Sequence, residues 1–145
     1  MSRLFDIVDA IVTELNAGTW SQAFTAEKVL VWEEDLHDRQ AQPELKVMVR
    51  GVSVEQVQLT RGKSIPKVTI EIAVTKRLGS ITPADVDPFL DLVDEIREAF
   101  DHVHLAEIAA AFVESSQSEP SYDEAILAQR RRFFGVVELA VVDYS

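Results

Sequence analysis

Residues 67–100 read KVTIEIAVTKRLGSITPADVDPFLDLVDEIREAF, and a change of period inside this stretch decides the fold class. Val68, Ile70, Ile72 and Val74 alternate with Lys67, Thr69, Glu71 and Thr75. A period of two sends successive side chains to opposite faces, so the segment predicts a strand with one buried and one wet face. Thr82 then supplies a capping hydroxyl, Pro83 a ring suited to the first helical position, and Asp85 an acid for the first turn. From there Val86, Phe89, Leu90, Val93, Ile96, Arg97 and Phe100 fall on one stripe, a helix of about five turns at about 3.6 residues each, with acids on its far face. Strand and helix in succession predict an α+β domain.

Upstream, Leu45, Val47 and Val49 alternate with Lys46, Met48 and Arg50, and the run continues weakly through Val52 and Val54. This strand and the one at 68–74 are expected to pair as an antiparallel hairpin. Residues 56–66 break the pattern. The connection 55–66, which carries Arg61, Gly62 and Lys63, is long for a hairpin loop and therefore a candidate for function or disorder. Nearer the start, Leu4, Ile7, Val8, Ile11, Val12 and Leu15 form the apolar stripe of a helix ending around Asn16, Ala17 and Gly18. Residues 24–32 (FTAEKVLVW) read as a strand, and 33–44 (EEDLHDRQAQPE) as a polar loop.

After His102, residues 105–113 admit a second helical stretch or a short strand near 111–114, and the strand is preferred. Residues 115–121 (SSQSEPS) read as a turn, 122–132 as a short helix and 133–143 as a strong strand. Both faces of that last strand are mostly apolar. It is expected inside the sheet or beneath a neighbouring subunit. No internal repeat or linker divides the chain, so residues 1–145 are expected to form one domain.

At 145 residues, with 47% hydrophobic and 27% charged side chains, the composition supports one globular core. The longest apolar runs, 133–137 and 139–142, fall far short of the roughly 20 residues that cross a bilayer, so no membrane partner is expected. Asp6 and Asp9 interrupt the first apolar stretch and argue against a secretory signal. The absence of cysteine removes disulfides, thiol nucleophiles and thiolate metal sites. Twenty-five acids against fourteen Lys and Arg give a formal charge of −11, which disfavours gripping nucleic acid. An acidic surface can instead let DNA slide past without adhesion.

Chemistry-bearing patterns are sparse. His37, His102 and His104 are the only histidines; the last two would share a face on a strand, yet no third ligand stands near, and a solvated or locally hydrogen-bonded pair is the favoured reading. Glu44 and Lys46 downstream of Asp35 and Asp38 faintly match the acid and lysine arrangement of Mg²⁺-dependent nucleases, but a solvated loop running into a strand accounts for them better. No glycine-rich phosphate loop, Gly-x-Ser-x-Gly elbow or His-Glu-x-x-His helix occurs. Neither a catalytic residue nor a cofactor is expected. Arg130, Arg131 and Arg132 form the one dense basic cluster, at a helix end where cations favour the dipole. The alternative is an intersubunit contact in which they meet Glu33, Glu34 and Asp35 of a neighbour.

The ordering of these pieces resembles small bacteriophage tail-terminator and tail-completion proteins, also called minor tail or neck proteins. The resemblance rests on the opening helix, Val29-Leu30-Val31-Trp32 with Glu33-Glu34-Asp35-Leu36, Leu45-Lys46-Val47-Met48-Val49, Thr60-Arg61-Gly62, the strand at 68–77, the helix at 86–100, Tyr122-Asp123, and Phe133-Phe134-Gly135-Val136-Val137-Glu138-Leu139. It implies a mostly antiparallel twisted sheet of four to five strands, with the N-terminal and long central helices on one side. It further implies a homo-hexameric ring in the virion, assembled in the host cytoplasm, that caps the tail tube, halts its growth and meets the head-completion or connector protein. No reaction is implied, and the genome DNA passes through without specific binding. Arg61, Lys63 and the charged residues named above are the expected interface. Another head-to-tail connector subunit is the alternative, ahead of a small metal-dependent nuclease or a monomeric bacterial binding protein.

Overall fold

A computed structural model describes residues 3–32, 44–108, 110–118 and 121–144. In chain order these form α1 (Arg3–Ala17), β1 (Ala26–Lys28), β2 (Lys46–Thr60), β3 (Lys63–Arg77), α2 (Pro83–Phe100), β4 (Ala111–Gln117), α3 (Glu124–Arg130) and β5 (Arg132–Asp143). The strands make one open sheet in the order β1-β2-β3-β5-β4. Every pairing is antiparallel except β1 with β2, so the α+β architecture expected from the sequence is present.

The two long helices lie on one face of the sheet. Helix α1 buries Ile7, Val8, Ala10, Ile11 and Leu15 over β1 and β2, and α2 buries Val86, Phe89, Leu92, Val93, Ile96 and Phe100 over β5, β4 and β3. Beneath them the sheet contributes Val47, Val49, Val68, Ile70, Ile72, Val74, Phe133, Val137, Leu139 and Val141 to one core. Each such side chain contributes about 1.5–3 kcal/mol on burial, which explains why the period-two and period-3.6 patterns are the strongest signals in the chain. Helix ends are closed locally. Thr82 Oγ1 accepts from the Asp85 amide at 3.3 Å, Asp123 Oδ1 accepts from the Ile126 amide at 3.0 Å, and the Trp20 indole donates to the Leu15 carbonyl at 2.8 Å. Gly51 marks a close approach: a Cβ there would sit 2.6 Å from Leu4 Cγ, so the first turn of α1 rests directly on the β2 backbone.

Three local expectations need correction. Of residues 24–32, only Ala26–Lys28 joins the sheet, because the aromatic and branched side chains around it serve packing: Phe24 lies against Trp20 at 6.0 Å, while Trp32 crosses to the other face and meets Phe134 at 5.8 Å. The connection 55–66 is not a loop. Strands β2 and β3 continue as a paired ladder to a turn at Arg61 and Gly62, where Gly62 adopts φ 79. From Lys63 to Pro66, β3 has no β5 partner, so with residues 56–60 of β2 it projects past the sheet as a two-stranded arm, in which Ile65 is buried and Val57 exposed. Pro66, which has no N–H to donate, sits just past the last β5 partner. Finally, β4 runs through Gln117, past a bulge between Val113 and Ser115, into residues read as a turn.

Candidate functional site

Among the described residues, the face of the sheet away from α1 and α2 is covered only at one end. There Val29, Trp32, Ile126 and Val136 pack on Met48, Ala73 and Phe134. The rest is an open, mixed surface whose rows follow from the register. Arg50, Glu71, Glu138 and Gln117 stand side by side on β2, β3, β5 and β4, and Thr69, Ala140 and Ser115 form the next row toward the arm. A further row holds Lys67, Val142 and Phe112, with Lys67 paired to Glu114 at 3.1 Å.

Charge on this face is unevenly matched. Arg50 stacks its guanidinium 4.3 Å over the Trp32 ring and donates through Nε and Nη2 to Glu71 Oε1 at 2.8 and 2.6 Å. Glu138, directly opposite Glu71, receives only the Gln117 amide at 3.4 Å among the bonds found for it. Like charges placed opposite one another on neighbouring strands are destabilising. Glu71, Glu138, Asp123, Tyr122 and Gln117 line a cleft of about 190 Å³ floored by Phe134 and Val136.

The arm bears the complementary charge. Arg61 and Lys63 flank the turn, both exposed, and Val52, Val54 and Val57 are exposed at 47%, 47% and 37%. The sequence singled out these two cations as part of a reaching loop; the structure brings them together at the tip of a rigid ladder instead.

The arginine cluster comes apart. Arg130 ends α3 half-buried, Arg131 is an exposed cap residue in the left-handed conformation with φ 52, and Arg132 opens β5 with 2% exposure, donating to Thr75 Oγ1 at 3.3 Å. Arg132 is thus buried within its own copy, on the Phe134 and Val136 face of β5 beside Thr75, and not the exposed cation that the expected intersubunit contact requires. Glu33, Glu34 and Asp35, its expected partners, lie outside the described residues, as do His37 and Asp38, while Glu44 of the nuclease-like set is exposed.

The remaining chemistry candidates do not converge. Lys46 pairs with Glu27 at 3.2 Å. His102 follows α2 in a left-handed conformation, pairs with Asp101 at 2.9 Å, and shares the Phe112 ring with His104 at centroid distances of 6.4 and 5.0 Å. Among the described residues no group of three or more His, Asp or Glu side chains could hold a metal ion, and no helix is long and apolar enough to cross a membrane. A second groove of about 300 Å³ runs between the start of α2 and α3, lined by Ile81, Val86, Leu90, Tyr122 and Leu127. In the first turn of α2 the Asp85 carboxyl is held below its ordinary value by hydrogen bonds from the Ser80 hydroxyl first and Thr82 second. No protein-family model matches this chain, and comparison with curated proteins finds no significant relative.

Proposed function

We propose that this protein is a structural subunit that assembles as a homo-hexameric ring at the head-proximal end of a bacteriophage tail, ending tube growth and joining tail to head without a chemical step. The observation that carries the reading is the hairpin end 52–66, whose outer part, 56–66, is the arm. It exposes three valines and a cationic tip on an acidic chain whose opposite sheet face, among the described residues, stands open, the pattern of a subunit built to be covered by neighbours. Virion localisation, and tube and connector partners, follow from the resemblance in the opening helix, paired strands and long central helix. The formal charge of −11 per chain, multiplied around a ring, supports passage of DNA by repulsion.

Sedimentation and negative-stain microscopy of the purified protein, alone and with tail tubes, test this reading. The expected result is a closed ring with a central hole, free or seated on tube ends. A chain that stays monomeric at high concentration and leaves tube ends bare overturns it.

A further inference from the structure

We infer that the arm of one copy lies on the open sheet face of the next, seating Arg61 and Lys63 in the cleft against Glu138 and Asp123. This deepens the ring reading and rests on it. Two independent mismatches meet in the contact. On the sheet face, Glu138 stands opposite Glu71, whose charge Arg50 already neutralises, so the pair is one cation short. At the arm tip two exposed cations make no ion pair with any described residue of their own copy.

Size and shape agree with the charge. The row Thr69, Ala140 and Ser115 presents short side chains between the cleft and the arm's root, which lets a two-stranded ladder approach the sheet. Val57 of the arm would leave water in the same contact. A copy cannot satisfy itself: Glu138 is level with Glu71, and Lys63 lies roughly 25 Å farther along β3 at about 3.3 Å per residue. When a copy gives its arm to one neighbour and receives that of another, the contact is head-to-tail and propagates until a rotation closes it into a ring, whereas a reciprocal exchange of arms would stop at a dimer.

The absence of cysteine makes the test direct. A chain carrying both Lys63→Cys and Glu138→Cys is oxidised mildly and run denatured without reductant. A disulfide requires Cα atoms within about 7 Å, so only a bond between copies is possible. The expected result is a ladder of linked species up to the ring, where each single variant gives no more than dimers. In parallel, Arg61→Glu with Lys63→Glu should weaken self-association at least tenfold with an unchanged melting temperature, and Glu138→Lys should restore it. Wild-type rings with no ladder and no response to charge reversal overturn the arm contact while leaving the ring. A ladder ending at dimers in the double variant overturns the head-to-tail arrangement. Monomeric wild type at every concentration, alone and with tubes, with no ladder, overturns both.

Discussion

Arg3, the first residue of α1, forks its guanidinium onto the carboxylate of Asp143, the last residue of β5, with Nη2 donating to Oδ1 at 3.0 Å and Nε to Oδ2. The two ends of the described chain are thereby tied. Asp143, through its hydrogen bonds first and its charge second, holds the Arg3 guanidinium above its ordinary value against opposing desolvation.

Burial is asymmetric in this pair, 37% exposed for Arg3 and 2% for Asp143. Removing Arg3 takes the cation from a buried carboxylate, whereas removing Asp143 leaves an arginine that can turn to water. Arg3→Ala should therefore cost about 2 kcal/mol and Asp143→Ala less, read as midpoints of urea denaturation. Equal costs would show that the carboxylate finds another partner.

Arg131 and Arg132 should respond in opposite directions. Arg131 adopts a left-handed conformation that costs a side-chain-bearing residue about 1–2 kcal/mol, so Arg131→Gly should raise stability by about 0.5–1 kcal/mol. Arg132→Ala opens a cavity beside Thr75 and should cost about 2–3 kcal/mol. Thermal melts of the two variants distinguish a split cluster from a shared surface patch, for which both changes would be nearly neutral.

Gly135 is a packing requirement. A Cβ there would stand 2.8 Å from the Ser121 carbonyl oxygen and 3.0 Å from Val93 Cγ2, and the backbone atom cannot step aside as a side chain would. Gly135→Ala should cost about 1–3 kcal/mol by denaturant titration and lower the protection of the Asp123 amide, which donates to the Phe134 carbonyl at 2.8 Å.

The depressed Asp85 carboxyl sets a pH dependence. Its folded value lies below the ordinary 3.8, so its stabilisation is complete above the unfolded value and is lost as pH falls through the folded one. The stability gap between wild type and Asp85→Asn should be constant near neutrality and shrink only below about pH 4. Ser80→Ala should move the NMR titration of Asp85 upward. A gap that widens on acidification would reverse the sign and reject the assignment.

Much of the fold was legible because it obeys local periods. The alternation of Val68, Ile70, Ile72 and Val74, the cap at Thr82 and the stripe from Val86 to Phe100 each report a face turned to the core, and the doubly apolar β5 is central as read, paired to β3 and β4. The arm was misread for the converse reason: it projects past the sheet, residues 56–66 carry no regular period, and only Gly62 hinted at its turn. Residues 24–32 have strand composition but pack as aromatic cover, since Trp32 gains more against Phe134 and Arg50 than in a ladder.

The candidate surfaces divide in the same way. Sequence alone determined that the chain is acidic, lacks thiol chemistry, and carries Arg61 and Lys63 beside a turn, because composition and neighbours along the chain are local facts. Only the tertiary structure decided that Glu71 stands opposite Glu138, that Arg132 is buried while Arg131 caps a helix, and that the two tip cations make no ion pair with any described residue. Those relations arise from strand register, which joins residues remote in the chain. Each strand is compatible with many registers, and one is selected only when helices α1 and α2 settle on the sheet and bury its apolar face.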